Sequence, residues 1–298
     1  MNASKRVGSL LILAASALWG GIGIFVRIFN PLGLYAMEIL EIRTVFGLLF
    51  LTAYLAVFHR EKFRIRLKDI WCFIGVGVCN MTAGAYCYFT GMTMASLAVM
   101  GVLQYTGPIF VMLFSVLLFG ERLTVRKVAA LGLSFAGCCF AAGLGSGDYL
   151  SPQGLLLGLG SGLAYSMYSV FGRCAINRGY DAWTILFWGF LSCGIASAPL
   201  TDWGAIGAAV AADAGVLVPM VLLGLLAGFA AYLLYSRGLE LVESGVAAVL
   251  ASAELIVATL AGTIVFHEPL TVSNVTGIAL ALAGIAVLSL HGKAVGRA

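Results

Sequence analysis

The sequence predicts an all-α integral membrane protein with ten transmembrane helices, arranged as two inverted repeats of five helices each. The first observation is composition: 61% of the 298 residues are hydrophobic and 10% are charged, which is more apolar surface than a water-soluble core of this length can bury. The second is that the apolar runs continue for about 20 residues, the length that a helix needs to cross the hydrocarbon core of a bilayer. The third is that one stretch of sequence occurs twice.

The internal repeat relates residues 104–142 to residues 251–289. The matched positions are Ile109 with Ile256, Phe119 with Phe266, Glu121 with Glu268, Leu123-Thr124-Val125 with Leu270-Thr271-Val272, and Ala136-Gly137 with Ala283-Gly284; earlier in the two halves, Trp19 aligns with Tyr165, Arg27 with Arg173 and Tyr88 with Tyr235. Each copy is an apolar helix that ends at a glutamate, followed by a second apolar helix. The repeat therefore divides the chain into two five-helix domains, residues 1–146 and residues 147–298.

Charged residues, glycines and prolines separate ten apolar spans along the chain. The first begins after Lys5 and Arg6, and the second ends before a basic run at residues 60–68. The fourth and ninth spans end at Glu121 and Glu268, and a Leu-Thr pair then starts the fifth and the tenth. The predicted spans are 7–26, 34–58, 70–90, 97–119, 125–144, 154–174, 183–200, 215–235, 245–266 and 272–290.

Basic residues predict the orientation of these spans. Because each half has an odd number of spans, the second half enters the membrane upside-down relative to the first. One side of the membrane receives Lys5, Arg6, Arg60, Lys62, Arg64, Arg66, Lys68, Arg122, Arg126, Lys127, Arg173, Arg178, Arg237, Lys293 and Arg297, whereas the other receives Arg27. Lysine and arginine resist translocation, so both termini are predicted to lie in the cytoplasm, in a multi-pass protein of a bacterial-type plasma membrane.

Short motifs add a family resemblance that covers the whole chain. A Ser-Ala-Leu-Trp-Gly run at residues 16–20, Gly107-Pro108 in the fourth span and Gly-Glu-Arg-Leu at residues 120–123 accompany the five-plus-five arrangement. Together they resemble the EamA type of the drug/metabolite transporter superfamily, which implies a solute transporter without specifying its solute. The ninth span has Glu254-Leu255 where the family usually has Glu-Pro. The sequence therefore supports a helix break at Pro108 more strongly than at Glu254.

Ionisable side chains inside the spans are the first candidate site, because a charge in hydrocarbon is costly and is usually functional. Glu38 and Glu41 share one helix face and are candidates to bind a cationic substrate or to carry a proton. The alternative is that Glu38 reaches the headgroups and that Glu41 pairs with Arg27 or Arg43. Glu254 lies near the middle of its span, where we expect it to face a cavity. Its alternative is a structural role as a hydrogen-bond acceptor.

Aromatic and amide side chains are the second candidate site. The predicted substrate-binding residues besides Glu38, Glu41 and Glu254 are Trp19, Tyr88, Gln104, Tyr105, Tyr165, Tyr168, Tyr232 and Tyr235, which belong to spans that line the central cavity in proteins similar to the EamA type. Their rings can hold an ammonium group or another ring. Tyrosines near span ends also form interfacial belts, which is the alternative for Tyr232 and Tyr235. Coupling and gating are assigned to Glu254, Arg43 and Pro108.

These candidates predict a secondary active transporter of a small, cationic or zwitterionic organic solute that bears an ammonium group, with protons as a candidate coupling ion. A choline-like quaternary amine and an amino acid both fit. An amino acid also needs a partner for its carboxylate, and Arg43 is the one base that the sequence places deep in a span, which slightly favours the quaternary amine. The competing hypothesis is a non-transporting protein that handles lipid or assembles with partners.

Other functional classes find little support in the sequence. It has no nucleotide-binding loop, metal-ligand cluster or nucleophile with a base at helical spacing, so we expect no enzyme, no cofactor and no metal, with transport driven by a gradient. The basic run at residues 60–68 is explained by topology and by attraction to anionic membrane lipids rather than by nucleic acid.

Overall fold

The computed structural model describes residues 3–143 and 149–289. Its α-helices are α1 (Ala3–Gly20), α2 (Ile22–Phe29), α3 (Ala36–Phe58), α4 (Ile70–Ile74), α5 (Ala83–Gly91), α6 (Leu97–Gln104), α7 (Gly107–Phe119), α8 (Val125–Ala142), α9 (Pro152–Ile176), α10 (Ala182–Ser197), α11 (Trp203–Ala212), α12 (Leu217–Leu223), α13 (Ala231–Leu241), α14 (Ser244–Ala251), α15 (Ala253–Phe266) and α16 (Val272–Ser289). The described ranges contain no strand. The predicted boundary between residues 146 and 147, and the basic residues Lys293 and Arg297, lie outside them.

The helices form ten spans, which confirms the predicted fold class. In order, the spans are α1 with α2, α3, α4 through α5, α6 with α7, α8, α9, α10, α12 through α13, α14 with α15, and α16. By length and hydropathy, the first nine are candidate membrane spans, and α16 is a shorter apolar helix. Because successive spans run in opposite directions, the described chain begins and ends at the same end of the bundle, which we call the terminal end. The distal end is the opposite one, where Asn30, Thr93 and Glu268 lie.

The two repeats carry matching interruptions. The fourth span breaks between α6 and α7, at Tyr105 and just before Pro108. The ninth span breaks at Ser252, the residue that aligns with Tyr105. The N–H of Ser252 donates to the carbonyl of Val249 (3.2 Å), and the N–H of Leu255 donates to the carbonyl of Ser252 (3.1 Å). These two tight turns end α14 and start α15 without a proline. The sequence supported a break near Glu254 less strongly than one at Pro108, but the structure has a break in both spans.

Two π-helical segments form a second matching pair. Gly75–Thr82 joins α4 to α5 in the third span, and Gly224–Ala230 joins α12 to α13 in the eighth. The wider turn of a π-helix displaces the side chains of one helix face, and such segments are frequent at functional sites. Both segments lie beside the central cavity described below.

Among the described helices, the most extensively packed pair is α8 with α16, the fifth and tenth spans. A Cβ atom on Gly137 would lie 2.8 Å from the carbonyl oxygen of Gly277, and one on Gly284 would lie 2.8 Å from the carbonyl oxygen of Ala130. Small residues at such contacts allow helix backbones to approach, which is the main source of packing between helices in lipid. This pair joins the two repeats away from the central cavity.

A short helix between the seventh and eighth spans was not predicted. Asp202 accepts a hydrogen bond from the N–H of Ala205 (3.0 Å) and so caps the start of α11. The helix is only ten residues long, too short to cross a bilayer. Its cap and its alanine-rich sequence are the signals that could have identified it.

Candidate functional site

A cavity of about 620 Å³ opens between the two repeats. It begins near the middle of the bundle, at Glu254 and Arg43, and reaches the distal end at Asn30, Tyr35 and Thr93. Its wall includes these predicted site residues: Trp19, Arg43, Tyr88, Gln104, Tyr165, Tyr232 and Glu254. The remaining predicted site residues, Glu38, Glu41, Tyr105, Pro108, Tyr168 and Tyr235, are not part of its lining.

The break in the ninth span positions Glu254 in the first turn of α15. Its side chain is only partly buried, because it faces the cavity. In residues 3–143 and 149–289, no hydrogen bond or ion pair to its carboxylate is present. The helix of the first span passes directly behind it, since a Cβ atom on Gly20 would lie 2.7 Å from the carbonyl oxygen of Glu254. Glu254 thus presents an unengaged carboxylate to the cavity.

Arg43 provides the opposite charge in the same cavity. The carbon at the centre of its guanidinium group lies 5.4 Å from the centre of the Tyr232 ring, a cation–π contact. The part of the chain that the structure describes contains no carboxylate within ion-pair distance of this guanidinium. The cavity therefore carries one basic and one acidic group, and neither is neutralised by a direct ion pair.

Aromatic rings surround these two charges. The Trp19 ring lies 4.9 Å from that of Tyr232, edge to face, and its indole N–H donates to the carbonyl of Ala227 (3.3 Å) in the π-helical part of the eighth span. Tyr88, Tyr165 and Gln104 complete the wall. Asn80, in the π-helical part of the third span, also lines the cavity and donates to the carbonyls of Ala164 (3.0 Å) and Tyr165 (3.2 Å). Both π-helical segments thus fix residues of the wall.

Two further tyrosines close the bundle on the terminal side of the cavity. Tyr168 and Ser236 share a hydrogen bond of 2.6 Å between their hydroxyls, and Ser169 and Tyr235 share one of 2.7 Å. Tyr168 and Tyr235 are 4% and 3% exposed, so their hydroxyls are committed to helix contacts and do not face the cavity. The interfacial position considered for Tyr232 and Tyr235 is not what the structure has, because both are buried in the bundle.

Tyr105 and Pro108 flank the break in the fourth span. Tyr105 is the C-cap of α6, and Pro108 lies in the first turn of α7 and is buried. A Cβ atom on the preceding Gly107 would lie 2.6 Å from the Tyr165 ring. The break therefore supports a tyrosine of the cavity wall rather than contributing a side chain to it.

Glu38 and Glu41 contact the seventh span and its following loop instead of the cavity. Glu38 accepts hydrogen bonds from the N–H groups of Tyr35 (3.0 Å) and Asp202 (3.0 Å), so it caps its own helix. Glu41 is 2% exposed and lies 2.5 Å from the hydroxyl of Ser197. Neither of the alternative pairings considered for Glu41 is formed, because Arg27 pairs with Glu268 at the distal end and Arg43 lies over a tyrosine.

We predict that Glu41→Gln leaves the stability of the protein nearly unchanged. The hydroxyl of Ser197 donates to Glu41 (2.5 Å) and also lies 2.8 Å from the carbonyl oxygen of Cys193. The amide oxygen of glutamine can accept the same hydrogen bond from Ser197. Glu41→Ala removes the acceptor and should cost about 1–3 kcal/mol. Thermal unfolding in detergent would measure both variants, and an equally large loss in Glu41→Gln would show that this hydrogen bond is not what Glu41 contributes to stability.

Sequence reasoning missed several polar residues of the wall. Asn30 and Thr93 line the mouth of the cavity, and Ser161 lines it at greater depth. Tyr35 lies at the mouth too and is 62% exposed. Polar residues near span ends are common in any membrane protein, so the sequence carries no signal for the first two. Ser161 lies among Gly158, Gly160 and Gly162, a spacing of small residues that indicates helix packing rather than a binding site.

Comparison with known proteins gives a family match in two parts. The model of the EamA-like transporter family matches residues 6–143 and residues 152–290. An "Uncharacterized transporter" from Archaeoglobus fulgidus is 26% identical over 95% of this chain and 96% of its own length. The "Uncharacterized transporter YvbV" from Bacillus subtilis is 26% identical, over 85% of this chain and 82% of its own.

Two other similarities are more limited. The "Aromatic amino acid exporter YddG" from Ancylobacter novellus is 29% identical over 111 residues, which are 36% of this chain and 39% of that protein. A solved crystal structure superimposes with a TM-score of 0.79 over 95% of this chain and 96% of its own, at 21% identity. At that identity the superposition supports the fold alone.

Proposed function

The chain belongs to the EamA-like transporter family, and from this premise we propose that it is a secondary active transporter of a zwitterionic metabolite with an ammonium and a carboxylate group, such as an amino acid. The observation that carries the proposal is that Arg43 and Glu254 both line one cavity and that neither has an ion-pair partner in the described residues. A carboxylate at Arg43 and an ammonium group at Glu254 would satisfy both. Charges left unpaired at this depth are costly, so a solute that neutralises both is favoured.

The aromatic wall supports the same class of solute. Trp19, Tyr165 and Tyr232 present ring surfaces beside the two charges, which suits an ammonium group and an apolar or aromatic side chain. The partial match to a protein named an aromatic amino acid exporter is consistent with this proposal. The quaternary amine that the sequence slightly favoured needs no basic partner and would leave the charge of Arg43 unmatched, so it becomes the second candidate.

We further propose that the distal end faces the cell exterior. The exposed basic residues Arg60, Arg64, Arg122 and Arg178 are at the terminal end, where the positive-inside rule expects the cytoplasm. In this orientation the structure has an outward-facing cavity, and transport would proceed by opening of the terminal end as the distal end closes. Either an ion gradient, including one of protons, or the gradient of the solute itself would drive it.

A ligand series with matched charges tests the proposed solute. We expect phenylalanine to raise the unfolding temperature of the purified protein, whereas phenethylamine, which lacks the carboxylate, and phenylpropionate, which lacks the ammonium group, raise it much less. Ligand at about 100 times its dissociation constant adds about 2.7 kcal/mol to the free energy of unfolding. Non-aromatic amino acids and choline complete the series.

Other results of the ligand series would favour a different solute or a different class of protein. Stabilisation by choline and phenethylamine but not by any amino acid would overturn the zwitterion and favour the quaternary amine. No stabilisation by any of these solutes at millimolar concentration would favour the competing class, an integral protein that handles lipid or assembles with partners. Flux into proteoliposomes, with and without a pH gradient, then separates a carrier from a protein that only binds.

A further inference from the structure

Equivalent arginine–glutamate pairs lie at opposite ends of the bundle. Arg27 and Glu268 are the repeat partners of Arg173 and Glu121. At the open, distal end, Arg27 forms an ion pair with Glu268, and the two side chains are 50% and 47% exposed. At the closed, terminal end, the side chain of Glu121 is 9% exposed. The same two residue types are thus in different environments at the two ends.

At the closed end, Glu121 contacts the opposite repeat, and Arg173 contacts the same segment from within its own repeat. Glu121 accepts hydrogen bonds from the backbone N–H groups of Ser244 (2.8 Å) and Gly245 (3.3 Å), the first residues of α14. Arg173 donates to the hydroxyl of Ser244 (3.0 Å) and to the carbonyl of Val242. A carboxylate at a helix N-terminus satisfies free N–H groups and the helix dipole. Glu121 therefore attaches the first repeat to the broken ninth span of the second.

A basic residue holds this contact in place. The ammonium group of Lys127 lies 3.4 Å from Glu121 and 2.5 Å from Glu243, the residue before α14. The side chains of Lys127 and Glu121 are 8% and 9% exposed, so the ion pair between them is shielded from most water. The terminal end is closed by charged groups as well as by the buried tyrosine–serine pairs beneath the cavity.

Within residues 3–143 and 149–289, the equivalent contact is not formed at the open end. The repeat partner of α14 is α6, which begins at Leu97 and is capped by its own Ser96, whose hydroxyl accepts from the N–H of Val99 (3.3 Å). Glu268 is engaged with Arg27 and not with α6. The difference between the ends is therefore a change of partner: Glu121 bonds to the broken span of the other repeat, and Glu268 bonds to an arginine.

From this comparison we propose that Glu268 and Glu121 are alternating latches, each of which caps the broken span of the opposite repeat in one of the two transport states. In the state that is closed at the distal end, the carboxylate of Glu268 leaves Arg27 and accepts from the N–H groups of Leu97 and Ala98, while Arg27 donates to the carbonyl of Ala95. At the terminal end, Glu121 then releases α14 and pairs with Arg173. The inference rests on the proposed function, since it assigns residues to the two states of a transporter.

Opposite effects of equivalent substitutions test the latches. Glu121→Gln weakens the buried contact of the distally open state. Glu268→Gln weakens the proposed cap of the distally closed state more than the ion pair with Arg27, because an ion pair between side chains that are 50% and 47% exposed contributes little. In a background with the native cysteines replaced, Ala85→Cys places a thiol in the cavity wall. A membrane-impermeant thiol reagent is added on the side from which this thiol reacts. We expect Glu268→Gln to raise the labelling rate and Glu121→Gln to lower it, each by about threefold to tenfold, the size of a carboxylate contact at a helix terminus.

Glu240→Gln is the matched control. Glu240 also caps a helix, since it accepts from the N–H of Ala182 (2.6 Å), but both residues belong to the second repeat. Its neutralisation should leave the labelling rate unchanged. Shifts of the Glu121 and Glu268 variants in the same direction, or no shift in either, would overturn the proposal.

Hydrogen exchange provides a second measurement that keeps all native cysteines. In the ligand-free protein, Glu121→Gln should accelerate amide exchange at the start of α14, whereas Glu268→Gln should leave the start of α6 unaffected, because Glu268 does not contact it in this state. Equal acceleration at both helix starts would contradict the latches. Neither measurement uses a solute, so the two proposals can fail separately. If no ligand of the series stabilises the protein but the two variants shift the labelling rate in opposite directions, the proposed solute is rejected and the latch proposal is retained.

Discussion

Replacing Glu254 with glutamine is expected to reduce transport of a zwitterionic solute at sub-saturating concentration by roughly 30-fold or more. The substitution preserves the shape of the side chain but removes the negative charge that faces the ammonium group. Loss of one partner from a buried charge pair costs about 2–5 kcal/mol, and each 1.4 kcal/mol is a factor of ten in affinity. Uptake of labelled amino acid into proteoliposomes at several concentrations measures the effect. The substitution should mainly raise the concentration that gives half-maximal uptake.

Two further variants make this result specific. Glu240→Gln neutralises an acid of the eighth span that pairs with Arg237 (3.2 Å) and lies outside the cavity lining, so it should transport like the unmodified protein. Arg43→Gln should weaken the binding of phenylalanine but leave the binding of phenethylamine unchanged, because only phenylalanine has a carboxylate. Unchanged binding and flux in Glu254→Gln would remove this residue from the mechanism. Equal loss of both ligands in Arg43→Gln would indicate that Arg43 shapes the cavity rather than binding a carboxylate.

The architecture was predictable because the sequence contains an internal repeat. The match between residues 104–142 and 251–289, together with apolar runs of membrane-crossing length, specified two inverted repeats. The depth of Glu254 in its span indicated a cavity, since a mid-span carboxylate cannot reach water at either surface. The resemblance to the EamA type, rather than the residues alone, indicated which spans form the wall, and Trp19 and Tyr165 of those spans do line the cavity.

The direction that a side chain faces was not predictable from its depth. Glu41 and Arg43 are two residues apart, yet one contacts the seventh span and the other faces the cavity. The rotation of a helix about its axis depends on packing with its neighbours, which hydropathy does not report. The break at Ser252 was underestimated for a similar reason: two tight backbone turns replace the proline whose absence argued against a break.

The contact between α8 and α16 leads to the second large effect, on stability. We expect Gly137→Val to destabilise the protein by about 1–3 kcal/mol or more, the usual cost of overpacking. The added Cβ would lie 2.8 Å from the carbonyl oxygen of Gly277 and 2.9 Å from the backbone nitrogen of Ala281. Backbone atoms cannot move aside as the end of a long side chain can, so the two helices must separate and lose dispersion contacts along their length.

Gly132 offers a control within the same helix. It is exposed, and no atom lies within 4 Å of a Cβ built on it, so Gly132→Val changes helix propensity and lipid-facing surface without a clash. Thermal unfolding of both variants in one detergent isolates the packing effect as the difference between them. If both variants lose the same amount of stability, the α8–α16 contact adjusts to the added side chain without a further cost. A loss of stability confined to Gly137→Val would instead identify α8 and α16 as a rigid contact between the two repeats. The cavity-lining spans would then change conformation next to this fixed pair.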